Sequence, residues 1–113
     1  MSKNMDIAIL LDVYGGMLTE RQSDTLSLYY NEDLSLTEIA ENFGITRQGV
    51  HKCIRSAEDY LLQLEQTLGY AEKYRELYAL TDRLDKLTDE AICKDKSTHG
   101  KIKDCIEKIR ATI

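Results

Sequence analysis

Proline is absent from this chain of 113 residues, so long helices free of proline kinks are permitted. Tryptophan is absent as well, phenylalanine occurs once, and β-branched residues do not gather into strand-length runs. No apolar stretch reaches the ~20 residues that a membrane-spanning helix requires, and the first residues lack the pattern of a signal peptide. Cysteine is scarce. Cys53, Cys93 and Cys105 are odd in number and without C-x-x-C spacing, which argues against a disulfide framework and for a reducing cytoplasm. Cys93 and Cys105, taken with His99, offer three ligands but match no zinc spacing and lack a fourth, so no metal is expected. A phosphate-cradling glycine loop, a nucleophile elbow and a histidine close to a partner carboxylate are also missing. The sequence gives no reason to expect catalysis or a cofactor. It leaves one domain, or one domain plus an appendage, of amphipathic helices long enough to bury a core without staples.

The net charge of −5 argues against a general nucleic-acid coat, whose affinity rests on neutralising phosphates. That charge is unevenly spread. Residues 19–45 sum to −5 and residues 61–90 to −3, whereas residues 46–60 sum to +1 and residues 91–113 to +3. The two basic stretches are where an anionic partner would be met.

The segment LSLTEIAENFGITRQGVHKCIR, ending at Arg55, reads as a helix-turn-helix. Ser35 and Glu38 form a capping box, which marks a helix start. Ile39, Ala40 and Phe43 give that helix one apolar face, with Ala40 small enough for a second helix to approach closely. Gly44 supplies the left-handed residue that ends it. Ile45 is expected to plug the turn, and Thr46 to cap the next helix. Val50, Ile54, Ala57 and Leu61 follow on one face, leaving Thr46, Arg47, Gln48, His51, Lys52 and Arg55 pointing away from the core. Those six residue types can reach phosphates and base edges in a major groove. Arg47 and Gln48, nearest the helix start, are the expected base readers, and Lys52 and Arg55 the expected phosphate contacts.

Ile7, Leu10, Leu11, Tyr14 and Leu18 predict an amphipathic first helix, weakened at its end by Gly15-Gly16. Thr19 and Gln22 make a second capping box, opening a helix that carries Leu26, Tyr29 and Tyr30. The seam Val50, Ile54, Ala57, Leu61, Leu64, Leu68 and Ala71 steps by four and three residues, with Gly69 as the expected break. Leu61, Leu64 and Leu68 are candidates for pairing with the tail or with a second subunit. Tyr70, Tyr74, Leu77, Leu84 and Leu87 continue an apolar stripe to about Glu90. Residues 93–100 read as a connection with Ser97 or Thr98 as cap. Ile102, Cys105, Ile106, Ile109 and Ile113 then form a last helix flanked by Lys101, Lys103, Lys108 and Arg110, in which Cys105, like Cys53 earlier, is taken as a small core residue.

LLDVYGGMLTERQ, LYYNEDLSLTEIAENFGITRQGVHKCIR and the Glu58 that follows closely resemble the small YlxM-like proteins of Gram-positive bacteria. More distantly, residues 19–62 resemble the C-terminal, promoter-reading region of sigma factors, with its L-T-x-R-Q and L-S-L-x-E-I-A patterns. The resemblance implies an all-helical DNA-binding regulator whose gene commonly neighbours that of the signal recognition particle GTPase. The chain departs from the family pattern at two places: Gly49 stands where alanine is usual, and Lys52-Cys53 where an Asp-Asn pair is usual.

The expectation is therefore an all-α protein: a sigma-like helix-turn-helix bundle with a long recognition helix and a C-terminal helical extension. Residues 1–62 would form the DNA-binding domain and residues 63–113 a packing or dimerisation extension. Its expected partners are double-stranded DNA and a second copy of the chain, with no membrane involved. The alternative is a protein- or RNA-binding interaction protein of the signal recognition particle pathway, working through the acidic face at residues 19–45.

Overall fold

The computed structural model describes residues 5–90 and 96–113. Among them are six α-helices and one 3-10 turn, and no strand. They are α1 (Met5–Tyr14), α2 (Glu20–Tyr30), α3 (Leu36–Phe43), α4 (Arg47–Leu68), α5 (Tyr70–Glu90) and α6 (Lys96–Thr112). The 3-10 turn Gly15–Met17 cuts α1 short of Leu18, as two consecutive glycines favour. Both expected capping boxes form. Thr19 and Gln22 exchange bonds of 3.1 and 3.2 Å at the start of α2, and Ser35 and Glu38 exchange bonds of 3.1 Å at the start of α3.

The chain divides into two compact units, the first ending at Ala71 and the second beginning at Glu72. In the first, α4 is the spine against which α1, α2 and α3 each pack. Leu26, Ile39, Val50, Ile54, Ala57 and Leu61 are fully buried there, joined by Ile7, Leu10, Leu11 and Tyr14 of α1. Each such Leu or Ile contributes about 1.5–3 kcal/mol on leaving water. Leu64 and Leu68 pack on the same core. The seam from Val50 to Ala71 is thus covered inside the chain, because α1 packs against α4.

At the end of that unit Gly69 adopts φ +66°, closing α4. The buried phenol of Tyr14 donates to Glu65 Oε1 at 2.6 Å and accepts the Tyr70 N–H at 3.0 Å. Glu65 Oε1 also accepts the Ala71 N–H at 3.0 Å. Two of the amide donors that open α5 are satisfied in this way by a tyrosine and a glutamate from other helices. Burial, and then the bond to Glu65, hold the Tyr14 pKa above its ordinary value.

In the second unit α5 and α6 are joined by polar contacts. Lys103 pairs with Asp85 and, at 2.7 Å, with Asp89, while Arg110 reaches Asp82 at 2.5 Å. Thr81, Thr88 and Ile106 are buried between these side chains. The helix α6 begins at Lys96, earlier than the capping residues Ser97 and Thr98 suggested, since first-turn positions need no intrahelical donor bond and tolerate both residue types. Residues 93–95 of the expected connection, Cys93 among them, lie outside the described residues. Cys105 is exposed on the edge of α6 and not in a core, whereas Cys53 is half-buried with its thiol 3.7 Å from the Thr25 hydroxyl.

Candidate nucleic-acid interface

The turn of the helix-turn-helix is closed by backbone geometry. Gly44 sits at φ +67°, ψ +34°; its N–H reaches Glu41 O at 3.4 Å, and the Ile45 N–H reaches Ala40 O at 3.1 Å. This pair of bonds is the Schellman ending, which uses two carbonyls the helix would otherwise leave open. A β-carbon at Gly44 would meet no neighbour, so glycine is required there for its conformation and not for space. Ile45 does not plug the turn as expected. It remains 41% exposed, because its side chain lies over the first turn of α4 beside Gly49.

Thr46 then caps α4, its Oγ1 accepting the Gly49 N–H at 3.0 Å. Arg47, Gln48, Lys52 and Arg55 are exposed and His51 is half-buried. At 100° per residue these five positions fall within an arc of roughly 140°, outside the arc of Val50, Ile54 and Ala57, which are buried. None of the five makes a side-chain hydrogen bond or ion pair among the described residues. Thr46, Arg47 and Gln48 stand at the helix start, where partial positive charge from the open amides adds to that of Arg47. Glu58 and Asp59 close the face one turn beyond Arg55, and with His51 and Arg55 they line a shallow cleft. Glu58 is held by the Tyr30 hydroxyl, which donates to its Oε1 at 2.5 Å and ties α2 to α4.

The surface contributed by residues 19–45 differs in sign. Its single cation, Arg21, lies 4.3 Å from the Phe43 ring centroid. Glu20, Asp24, Glu32, Asp33, Glu38 and Glu41 leave it strongly acidic. Three cations of the basic tail are committed elsewhere: Lys103 and Arg110 pair with α5, and Lys108 with Asp104 at 3.2 Å. Arg47, Lys52 and Arg55 are thus free cations on an otherwise acidic unit.

Sequence reasoning missed the Tyr30–Glu58 bond and the Tyr14–Glu65 cap, which span 28 and 51 residues. No spacing rule reaches that far. The only local signal was a tyrosine on each apolar face, whose hydroxyl requires a partner once buried.

Residues 1–109 match the sequence profile of the UPF0122 family, described as "Putative helix-turn-helix protein, YlxM / p13 like". The matches to the following relatives cover most of each relative's length. A UPF0122 protein of Symbiobacterium thermophilum is 45% identical over 85 residues, covering 75% of this chain and 79% of the relative. One from Clostridium kluyveri is 36% identical over 110 residues, covering 94% and 96%. One from Bacillus cereus is 34% identical over 109 residues, covering 96% of each. No helix among the described residues is long and apolar enough to cross a membrane. With its two capping boxes, its Schellman turn and a 22-residue second helix all in place, this chain belongs to the UPF0122 family of YlxM- and p13-like helix-turn-helix proteins.

Proposed function

We propose that this protein is a cytoplasmic DNA-binding transcription regulator that reads duplex DNA with the N-terminal half of α4. The observation that carries this reading is the cluster of exposed, unpaired Arg47, Gln48, Lys52 and Arg55 on a unit that is otherwise acidic. Arg47 and Gln48, in the first turn, take base edges: arginine pairs with guanine and glutamine with adenine, each worth about 1–3 kcal/mol of discrimination. Lys52 and Arg55 take phosphates along the same groove, and the Thr46 hydroxyl keeps a free proton to donate to a phosphate oxygen at the helix start. His51, between these two sets, adds a ring N–H that can donate to the duplex. With so few cations per copy, the protein acts as a homodimer that doubles the contacts across two half-sites.

Sequence enrichment from a random duplex pool tests this directly, run beside an Arg47→Ala, Gln48→Ala, Lys52→Ala variant. The wild type should return a motif that the folded variant loses. No motif at low salt, where phosphate contacts are strongest, would remove the regulator reading.

A second reading rests on the acidic side. A cleft of about 500 Å³ between α2 and α3 has Leu28, Leu34 and Phe43 as its apolar lining and Asp24 and Glu32 at its edge. Such a cleft suits a basic protein segment, in keeping with a link to the signal recognition particle. Charge reversal at Arg47 and Lys52 separates the two: it abolishes function in the first reading and is tolerated in the second.

A further inference from the structure

The α5–α6 hairpin buries very little of its own apolar surface. From Glu72 onward, Ile106 is the one large apolar side chain among the described residues that is buried; the other buried positions are Thr81 and Thr88. Leu77, Leu80, Leu84 and Leu87 are instead 41%, 61%, 44% and 52% exposed. They recur at intervals of three, four and three residues, which places them in one stripe along about 15 Å of α5. Ile109, 41% exposed, extends the stripe across to α6, where Leu77, Tyr74, Ile109 and Ile113 line one cavity of about 390 Å³. The Lys103–Asp85 and Arg110–Asp82 pairs lie along the seam between the two helices and do not cover these leucines.

We infer that this two-helix face is where a second copy of the chain docks, so that two hairpins form a four-helix bundle. The inference rests on the homodimer in the reading above and assigns its surface. Area supports it. The exposed side chains leave on the order of 500 Å² of apolar surface, close to the apolar part of a homodimer interface burying about 800 Å² per partner. That is also at the upper end of what a monomer leaves open. Charge supports a like partner over a basic or acidic one. Glu76 and Arg83 border the stripe two turns apart, carry opposite signs and pair with no group among the described residues. A two-fold axis crossing α5 between them brings Glu76 of one copy to Arg83 of the other, twice. A foreign partner of one sign would meet one of them unfavourably. Two α-helical hairpins joined through such leucine stripes bury what neither can bury alone.

The test is the mass of the full chain by light scattering across a micromolar dilution series. The wild type should run at about twice the 13.0 kDa chain mass. Leu80→Ala with Leu84→Ala removes four side chains per dimer and should weaken association on the order of 100-fold, with helicity unchanged because alanine keeps the helix. Arg83→Glu should weaken the dimer, and adding Glu76→Arg should restore it. A wild type at single-chain mass at tens of micromolar overturns the inference, as does a leucine variant that dimerises like the wild type. The Arg47→Ala, Gln48→Ala, Lys52→Ala variant should stay dimeric. Loss of the enriched motif with the dimer intact therefore counts only against DNA reading, and a motif bound by a single-chain protein counts only against the docking face.

Discussion

Replacing Gly49 by alanine should stabilise the protein, and the expected size follows from two opposed contributions. Glycine in a helix interior costs about 0.8–1 kcal/mol relative to alanine, which is the upper bound for Gly49, the third residue of α4. Gly49 does not need its freedom for conformation, since only Gly44 and Gly69 among the glycines have positive φ. Against the gain stands a contact: an added β-carbon would lie 3.2 Å from Thr46 Oγ1 and 3.8 Å from Ile45 Cδ1. The second is ordinary van der Waals distance. The first is tight, and it involves the oxygen that accepts the Gly49 N–H at 3.0 Å. Thr46 is exposed, so its side chain can swing by a few tenths of an ångström. The cap bond then lengthens toward about 3.2 Å and survives. The net gain is about 0.5 kcal/mol, or roughly 2–4 °C in Tm for a unit of this size. Thermal unfolding followed by circular dichroism measures it. A Tm equal to or below that of the wild type would mean that Thr46 cannot give way, and the argument from propensity would be wrong at this position. A Tm that rises while DNA affinity falls would instead show that the missing side chain lets the backbone approach the duplex.

Tyr14→Phe should cost about 1–2 kcal/mol in urea unfolding, because it strips the Tyr70 N–H of its acceptor and Glu65 of a donor in a site with little water; a cost within error would mean that water takes over both bonds. The α5–α6 hairpin should loosen in acid. The Lys103 hydrogen bond, and then its charge, hold Asp85 below its ordinary value of 3.8, so the folded state binds this proton less readily than the unfolded chain. The stabilisation is present above pH ~4 and is lost as pH falls through the lowered value; Lys103→Met should remove this acid limb from a helicity-versus-pH titration. DNA affinity should fall with log salt at a slope of about −2 per copy, or −4 for a dimer, if Lys52 and Arg55 are the phosphate contacts, and Arg55→Gln should reduce the dimer slope by about 2.

Much of the first unit was legible because its information is local. A capping box needs four residues, a Schellman ending needs one glycine, and an amphipathic face repeats every three or four positions. Accordingly Thr19, Ser35, Gly44, Thr46 and Gly69 all stand where their chemistry put them. The outward set Arg47 to Arg55 followed from the same period, since the positions left over once Val50, Ile54 and Ala57 turn inward are fixed by geometry. The Tyr14–Glu65–Tyr70 joint was not legible, because it depends on α1 lying alongside the far end of α4.

The seam shows why a heptad pattern alone misplaces an interface. Val50, Ile54, Ala57, Leu61, Leu64 and Leu68 have coiled-coil spacing, and from the sequence their second half was free to face another subunit. In the folded chain Leu61 is fully buried and Leu64 and Leu68 lie against the core. The stripe Leu77, Leu80, Leu84 and Leu87 has the same period, yet here the intrachain contacts run through Thr81, Asp85 and Thr88 on a neighbouring face. Period states only that a face will be covered. What covers it depends on which side of each helix the polar pairs claim. In α5 the acids Asp82, Asp85 and Asp89 meet the bases of α6 and fix the hairpin with its leucines turned aside. An Asp82→Asn, Asp85→Asn, Asp89→Asn variant should therefore loosen the hairpin and let α6 slide onto the leucine stripe. Quenching of an environment-sensitive dye on Cys105 would report the shift, and an unchanged signal would mean that packing, not charge, sets the phase of α5 against α6.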